Sequence, residues 1–123
     1  MKVSAILNVT DSLEPSFPDK FRYKIIQVTD DETSNIYQHF RDCIAFISEV
    51  IANKETILVH CAAGVSRSAS VVIAYIMYSQ RIKLADAFNQ VKDRRPCIKP
   101  NPGFIRQLQE FEKELISEGI INE

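Results

Sequence analysis

The chain has 123 residues, 46% hydrophobic and 25% charged, with a formal net charge of -1. That length suits one compact domain, here residues 1–123, and is too short for two. The charge balance gives no general attraction to nucleic acid, and no apolar run is long enough to span a bilayer.

In chain order, residues 3–9 form a short apolar run expected to be a buried strand. Residues 10–20 contain Asp11, Ser12, Pro15, Ser16, Pro18 and Asp19 and are expected to loop. Residues 23–28 suit a second strand, followed by the acidic stretch Asp30, Asp31, Glu32. Ile36, Phe40, Cys43, Ile44, Ile47, Val50 and Ile51 recur at helical spacing, with Ser34 or Asn35 available as cap. Residues 56–60 predict a third strand. A largely buried helix is expected from about residue 67 to 80, and another over 84–94 with Ala87, Phe88 and Val91 inward. Asn101-Pro102 offers a cap followed by proline at the first helical position, and Gly119 ends that last helix. Strands alternating with helices predict an α/β domain with an at least partly parallel sheet.

The stretch with the most chemistry is His60-Cys61-Ala62-Ala63-Gly64-Val65-Ser66-Arg67-Ser68. A strand precedes it and a helix follows. Backbone N–H groups of such a loop converge at the helix N-terminus and favour negative charge. A cysteine there is expected to have its thiol pKa lowered toward neutrality. Arg67 offers a planar fork that matches two phosphate oxygens. The small side chains let an oxyanion approach the backbone. Ser68 can hydrogen-bond the sulfur. The expected reaction is phosphoryl transfer to Cys61 followed by hydrolysis, with no metal or other cofactor required. A proton donor for the leaving oxygen is expected from the loop after the second strand, where Asp30, Asp31 and Glu32 remain alternatives.

These residues resemble the His-Cys-x-x-Gly-x-x-Arg-Ser/Thr signature of the dual-specificity phosphatases, in the protein tyrosine phosphatase superfamily. Residues 6–9, 23–30 and 70–78, with Arg95-Pro96 and Pro100-Asn101-Pro102-Gly103-Phe104, are similar to further family segments, and small atypical members are the nearest likeness. The resemblance implies a protein tyrosine phosphatase-like α/β fold with a central, mostly parallel sheet flanked by helices. It implies Cys61 as nucleophile, Arg67 as phosphate clamp, Asp30 as general acid and Ser68 as the hydroxyl that helps phosphocysteine break down. The amides of Ala62, Ala63, Gly64, Val65, Ser66 and Arg67 would form the cradle. His60 would orient the loop, and Asn101 would brace it from behind. Family members carry two further strands before the segment matched here. Without them, strand 56–60 would sit at a sheet edge, exposed or covered by a second copy as a dimer.

The implied substrate is a phosphoprotein bearing phosphotyrosine or phosphoserine/threonine, because the loop interior lacks the lysine typical of phosphoinositide phosphatases. Phosphate or sulfate would occupy the same loop. Competing readings are a catalytically impaired phosphoprotein-binding module, an enzyme for a non-protein phosphoester, and arsenate or thiosulfate chemistry. Cys43 belongs to the apolar stripe, His39 to a solvated face, and Cys97 to a loop, as a plain thiol or a redox partner of Cys61. Lys92, Arg94, Arg95 and Lys99 form a basic cluster best read as a solvated face. The poor signal character of the N-terminus and the odd, widely spaced cysteines predict a reducing compartment, the cytoplasm or nucleus.

Overall fold

The computed structural model describes residues 4–10, 22–60 and 66–122. The expected loop over residues 10–20 and the loop interior 61–65 therefore lie almost wholly outside the described residues. Three strands, β1 (Ala5–Thr10), β2 (Arg22–Gln27) and β3 (Ile57–His60), alternate with α1 (Tyr37–Ala52), α2 (Arg67–Gln80), α3 (Leu84–Arg94) and α4 (Pro102–Ser117). The described sheet has the order β2-β1-β3, and both pairings are parallel. Ala5 pairs with Arg22 and Ile57, and Asn8 pairs with Ile25 and His60. The carboxyl ends of all three strands therefore open on one rim, where α/β sheets place ligands.

β1 is the central described strand, and Ala5, Leu7 and Val9 on one face are fully buried. The α1 stripe holds at Phe40, Cys43, Ile44, Ile47 and Val50. Ile51 departs from it, at 48% exposure, because it falls one residue beyond the inward position occupied by Val50. Of the two expected caps, Asn35 serves: its Oδ1 accepts the Gln38 N–H at 3.1 Å, although Ile36 occupies the formal cap position. The Ser34 carbonyl instead accepts from Gln107 Nε2 of α4 at 2.8 Å. Phe40 and Phe111 meet at 5.2 Å between ring centroids, and Tyr37 meets Phe111 edge-on at 6.2 Å. These rings tie α1 to α4.

α2 buries most of its length, including Val71, Ile73, Ala74 and Met77. Of the α3 positions expected inward, Ala87 is fully buried, while Phe88 and Val91 are half-buried against the core. α4 starts as its Asn-Pro pair predicts, with Asn101 Oδ1 accepting the Phe104 N–H at 2.9 Å. It ends at Ser117, where Gly119 takes a φ of +78° and its neighbour Ile120 donates to the Leu115 carbonyl.

β3 pairs only with β1 among the described residues. Leu58 on this strand is 46% exposed.

Candidate active site

Among the described residues, the rim at the carboxyl ends of β2 and β3 brings together Asp30, Ser66, Arg67 and Asn101. His60 ends β3, and Ser66 is the cap residue of α2. Cys61, Ala62, Ala63, Gly64 and Val65 lie outside the described residues. Ser66, Arg67 and Ser68 are all buried.

A guanidinium at 8% exposure needs partners, because an unpaired buried charge is costly. Arg67 Nη1 donates to the Val28 carbonyl at 3.2 Å, just past the end of β2. This bond ties the arginine to the segment that leads into Asp30. Ser66 precedes the helix, but its hydroxyl makes no cap bond to α2. Its Oγ accepts the Asn101 N–H at 3.1 Å. The Ser66 carbonyl accepts from Ser70 N and Ser70 Oγ, at 2.9 and 2.7 Å, which fixes the first turn.

Asn101 is expected to brace the loop from behind; among the described residues it makes three links. Its N–H holds Ser66, its Oδ1 caps α4, and its Nδ2 donates to Asp30 Oδ1 at 2.9 Å. One residue, through its backbone N–H and its side chain, connects the acidic loop, the start of α2 and the last helix. Asn101 and Pro102 advertise a helix cap in the sequence, but the reach to Asp30 spans 71 positions and leaves no local signal.

The two neighbouring aspartates are sorted by their hydrogen bonds. Asp31 accepts from Thr29 Oγ1 at 2.6 Å, and from Thr33 N and Oγ1 at 2.9 and 2.6 Å. The Thr29 hydroxyl bond is the largest influence that lowers its pKa to about 2. A carboxylate held ionised by its own turn is a poor proton donor. The Thr-x-Asp-x-Thr spacing of residues 29, 31 and 33 is the sequence signal for that turn. Glu32 has a structural part through its backbone. A Cβ added at Gly103 would lie 2.7 Å from Glu32 Cα and closer still to its carbonyl oxygen. Gly103 thus lets the start of α4 back directly onto the acidic loop.

A depression of about 740 Å³ adjoins this site, lined in part by Asp30, Ser66, Lys99, Asn101 and Arg106. A second, of about 410 Å³, lies behind β3, with Val59, Ser68, Val72, Arg94 and Arg95 among its walls. The basic residues read as one cluster are therefore divided. Arg94 and Arg95 face the second depression, Lys99 faces the first, and Lys92 lies 5.9 Å from the Phe88 ring centroid. Cys43 is fully buried, and burial pushes its thiol pKa up to about 12. His39 is half-buried rather than fully solvated, and desolvation lowers its pKa. Cys97 is exposed and free.

A parallel sheet whose rim brings Arg67 against the end of β2 and joins Asp30 to Ser66 through Asn101 is that of a phosphatase-like α/β domain. A family model described as the dual specificity phosphatase catalytic domain matches residues 1–114, and the chain belongs to that family. It is 45% identical over 113 residues to dual specificity protein phosphatase 1 of Arabidopsis thaliana, covering 92% of this chain and 57% of that protein. The chain thus spans a little over half the length of that relative. A mouse dual specificity phosphatase solved with zinc tungstate superposes with a TM-score of 0.92 at 30% identity, covering 98% of this chain and 76% of that one. The human tyrosine phosphatase-like serine/threonine/tyrosine-interacting protein superposes at 0.88 with 38% identity, covering 93% and 79%.

Proposed function

We propose that this chain is a phosphoprotein phosphatase that works through a phosphocysteine on Cys61. The Cys61 thiolate attacks phosphorus while the ester P–O bond breaks. Asp30, protonated, gives its proton to the leaving oxygen. Arg67 and the amides of residues 62–67 bind the equatorial oxygens as charge redistributes. Water then attacks the phosphocysteine, Asp30 takes the water's proton, and the Ser68 hydroxyl stabilises the departing sulfur. His60 orients the loop. The carrying observation is a set of three contacts, Arg67 to Val28 and Asn101 to both Asp30 and Ser66, which supports a clamp and an acid held on one frame. The tungstate-bound mouse relative supports tetrahedral oxyanion binding, so phosphate or sulfate is the expected occupant of the loop. The neutral loop interior supports phosphoprotein over phosphoinositide.

Hydrolysis of para-nitrophenyl phosphate tests this reading. Wild type is expected to turn over with a bell-shaped pH profile, its acidic limb set by Cys61 and its basic limb by Asp30. Cys61→Ser is expected to lose turnover and retain phosphopeptide. The likeness to the human interacting protein supports a second reading, a phosphoprotein-binding module. Phosphopeptide binding without any wild-type turnover would select it. The free Cys43 and Cys97 support a reducing compartment, cytoplasm or nucleus. The open β3 edge supports self-association of two copies, measured by light scattering.

A further inference from the structure

The depression of about 740 Å³ beside Asp30 contains more than catalysis uses. Pro100, Pro102 and Ile105 supply an apolar wall, while Lys99 and Arg106 supply positive charge. Both cations are exposed, and neither has an ion-pair partner among the described residues. Two acidic groups nearby are already engaged. Asp30 Oδ1 accepts from Asn101, and Glu110, which lines the adjoining depression with Arg106, pairs with Lys113 at 3.5 Å. Glu32 lines that adjoining depression too and does not line the one that holds Lys99. The two cations thus exceed the single carboxylate that shares their depression.

Ser66, the residue that follows the expected phosphate loop in sequence, and Asp30 both line this depression. A peptide whose phosphorylated residue enters the loop must leave it along a neighbouring surface. Each extended residue advances about 3.3–3.6 Å, so a side chain within three positions reaches roughly 10 Å from the phosphoresidue. We propose that this depression is a substrate subsite, in which Lys99 and Arg106 select an anionic side chain within three residues of the phosphorylated one. The occupant is a peptide, since an apolar wall with two cations suits a chain carrying one acidic group. This inference rests on the phosphoprotein reading above and refines its substrate class.

The test compares two phosphopeptides that differ only in acidic or alanine residues at the three positions on either side of the phosphoresidue. Their ratio of kcat/KM is measured for wild type and for the Lys99→Glu/Arg106→Glu double variant. The same ratio is read as Kd on Cys61→Ser with and without those substitutions, so intrinsic turnover cancels. Two exposed ion pairs give wild type an expected preference of about threefold to tenfold for the acidic peptide. That preference should fall as salt rises. The double variant should lose or invert it, and a peptide with lysine at the same positions should then bind better. An unchanged ratio in the double variant, or none in wild type, would overturn the subsite. So would preferred turnover of phosphoinositide vesicles over both peptides. Phosphopeptide binding with the preference intact but no wild-type hydrolysis would overturn the catalytic reading alone.

Discussion

At the residue scale, two adjacent carboxylates differ in the groups that donate to them. Asp31 is taken up by Thr29 and Thr33 within its own turn, and its carboxyl sits at about 2. Asp30 reaches outward to Asn101. Asp30→Asn is therefore expected to lower kcat by about 10²- to 10⁴-fold and remove the basic limb of the pH profile. Asp31→Asn should leave that limb in place. The sign for Asp31 follows from its depressed value. Its hydrogen bonds favour the folded turn above the ordinary carboxylate pKa of 3.8 and are lost as pH falls through about 2. Carboxyl carbon shifts followed by NMR titration should place the Asp31 midpoint near 2, and a midpoint at 3.8 would remove the reason for excluding it as acid.

At the element scale, the acidic loop is held by helix starts rather than by the sheet. The first turn of α2 holds it through Arg67 and Val28, and the first turn of α4 through Asn101 and the bare face of Gly103. Alanine raises helix propensity at an ordinary helical glycine. At position 103 the added carbon would meet Glu32 backbone, which cannot yield without moving the loop. Gly103→Ala is expected to cost about 1–3 kcal/mol by overpacking, seen in chemical denaturation. It should also lower turnover of alkyl phosphates, whose leaving groups need a proton, more than that of para-nitrophenyl phosphate. Equal losses on both substrates would separate Gly103 from the acid. The helices themselves were legible from local patterns: the α1 stripe, the Asn101-Pro102 start and Gly119 past the end of α4. Ile51 and the displaced cap of α1 show the limit of such patterns, since one residue of rotation moves a side chain from core to solvent.

At the scale of the whole molecule, the strand leading to Cys61 is the described sheet's edge. β1 has neighbours on both sides, whereas β3 has one and leaves Leu58 at 46% exposure. Open edges invite pairing, and a lysine on them opposes it. If two copies meet at this edge, Leu58→Lys should shift the protein toward monomer in light scattering without loss of helical circular dichroism. A dimer population unchanged by the substitution would remove β3 from the contact.

The amino-acid sequence by itself determined the family to which this chain belongs. A cysteine and an arginine six positions apart, between a strand and a helix, make the expected phosphate-binding loop legible from local spacing. The order of strands and helices likewise follows from hydrophobic period and breakers. What only the tertiary structure decided is which groups from distant segments meet. The sequence reading left Asp30, Asp31 and Glu32 open on physical grounds, and the folded chain separates them by Asn101 at one, a local turn at the next and Gly103 behind the third. It also divided one run of basic residues between two depressions, bringing Lys99 beside Arg106 of the next helix. Contacts across 71 positions depend on how α4 docks against the sheet rim. No local propensity encodes that docking; the packing of Tyr37, Phe40 and Phe111 between α1 and α4 sets it.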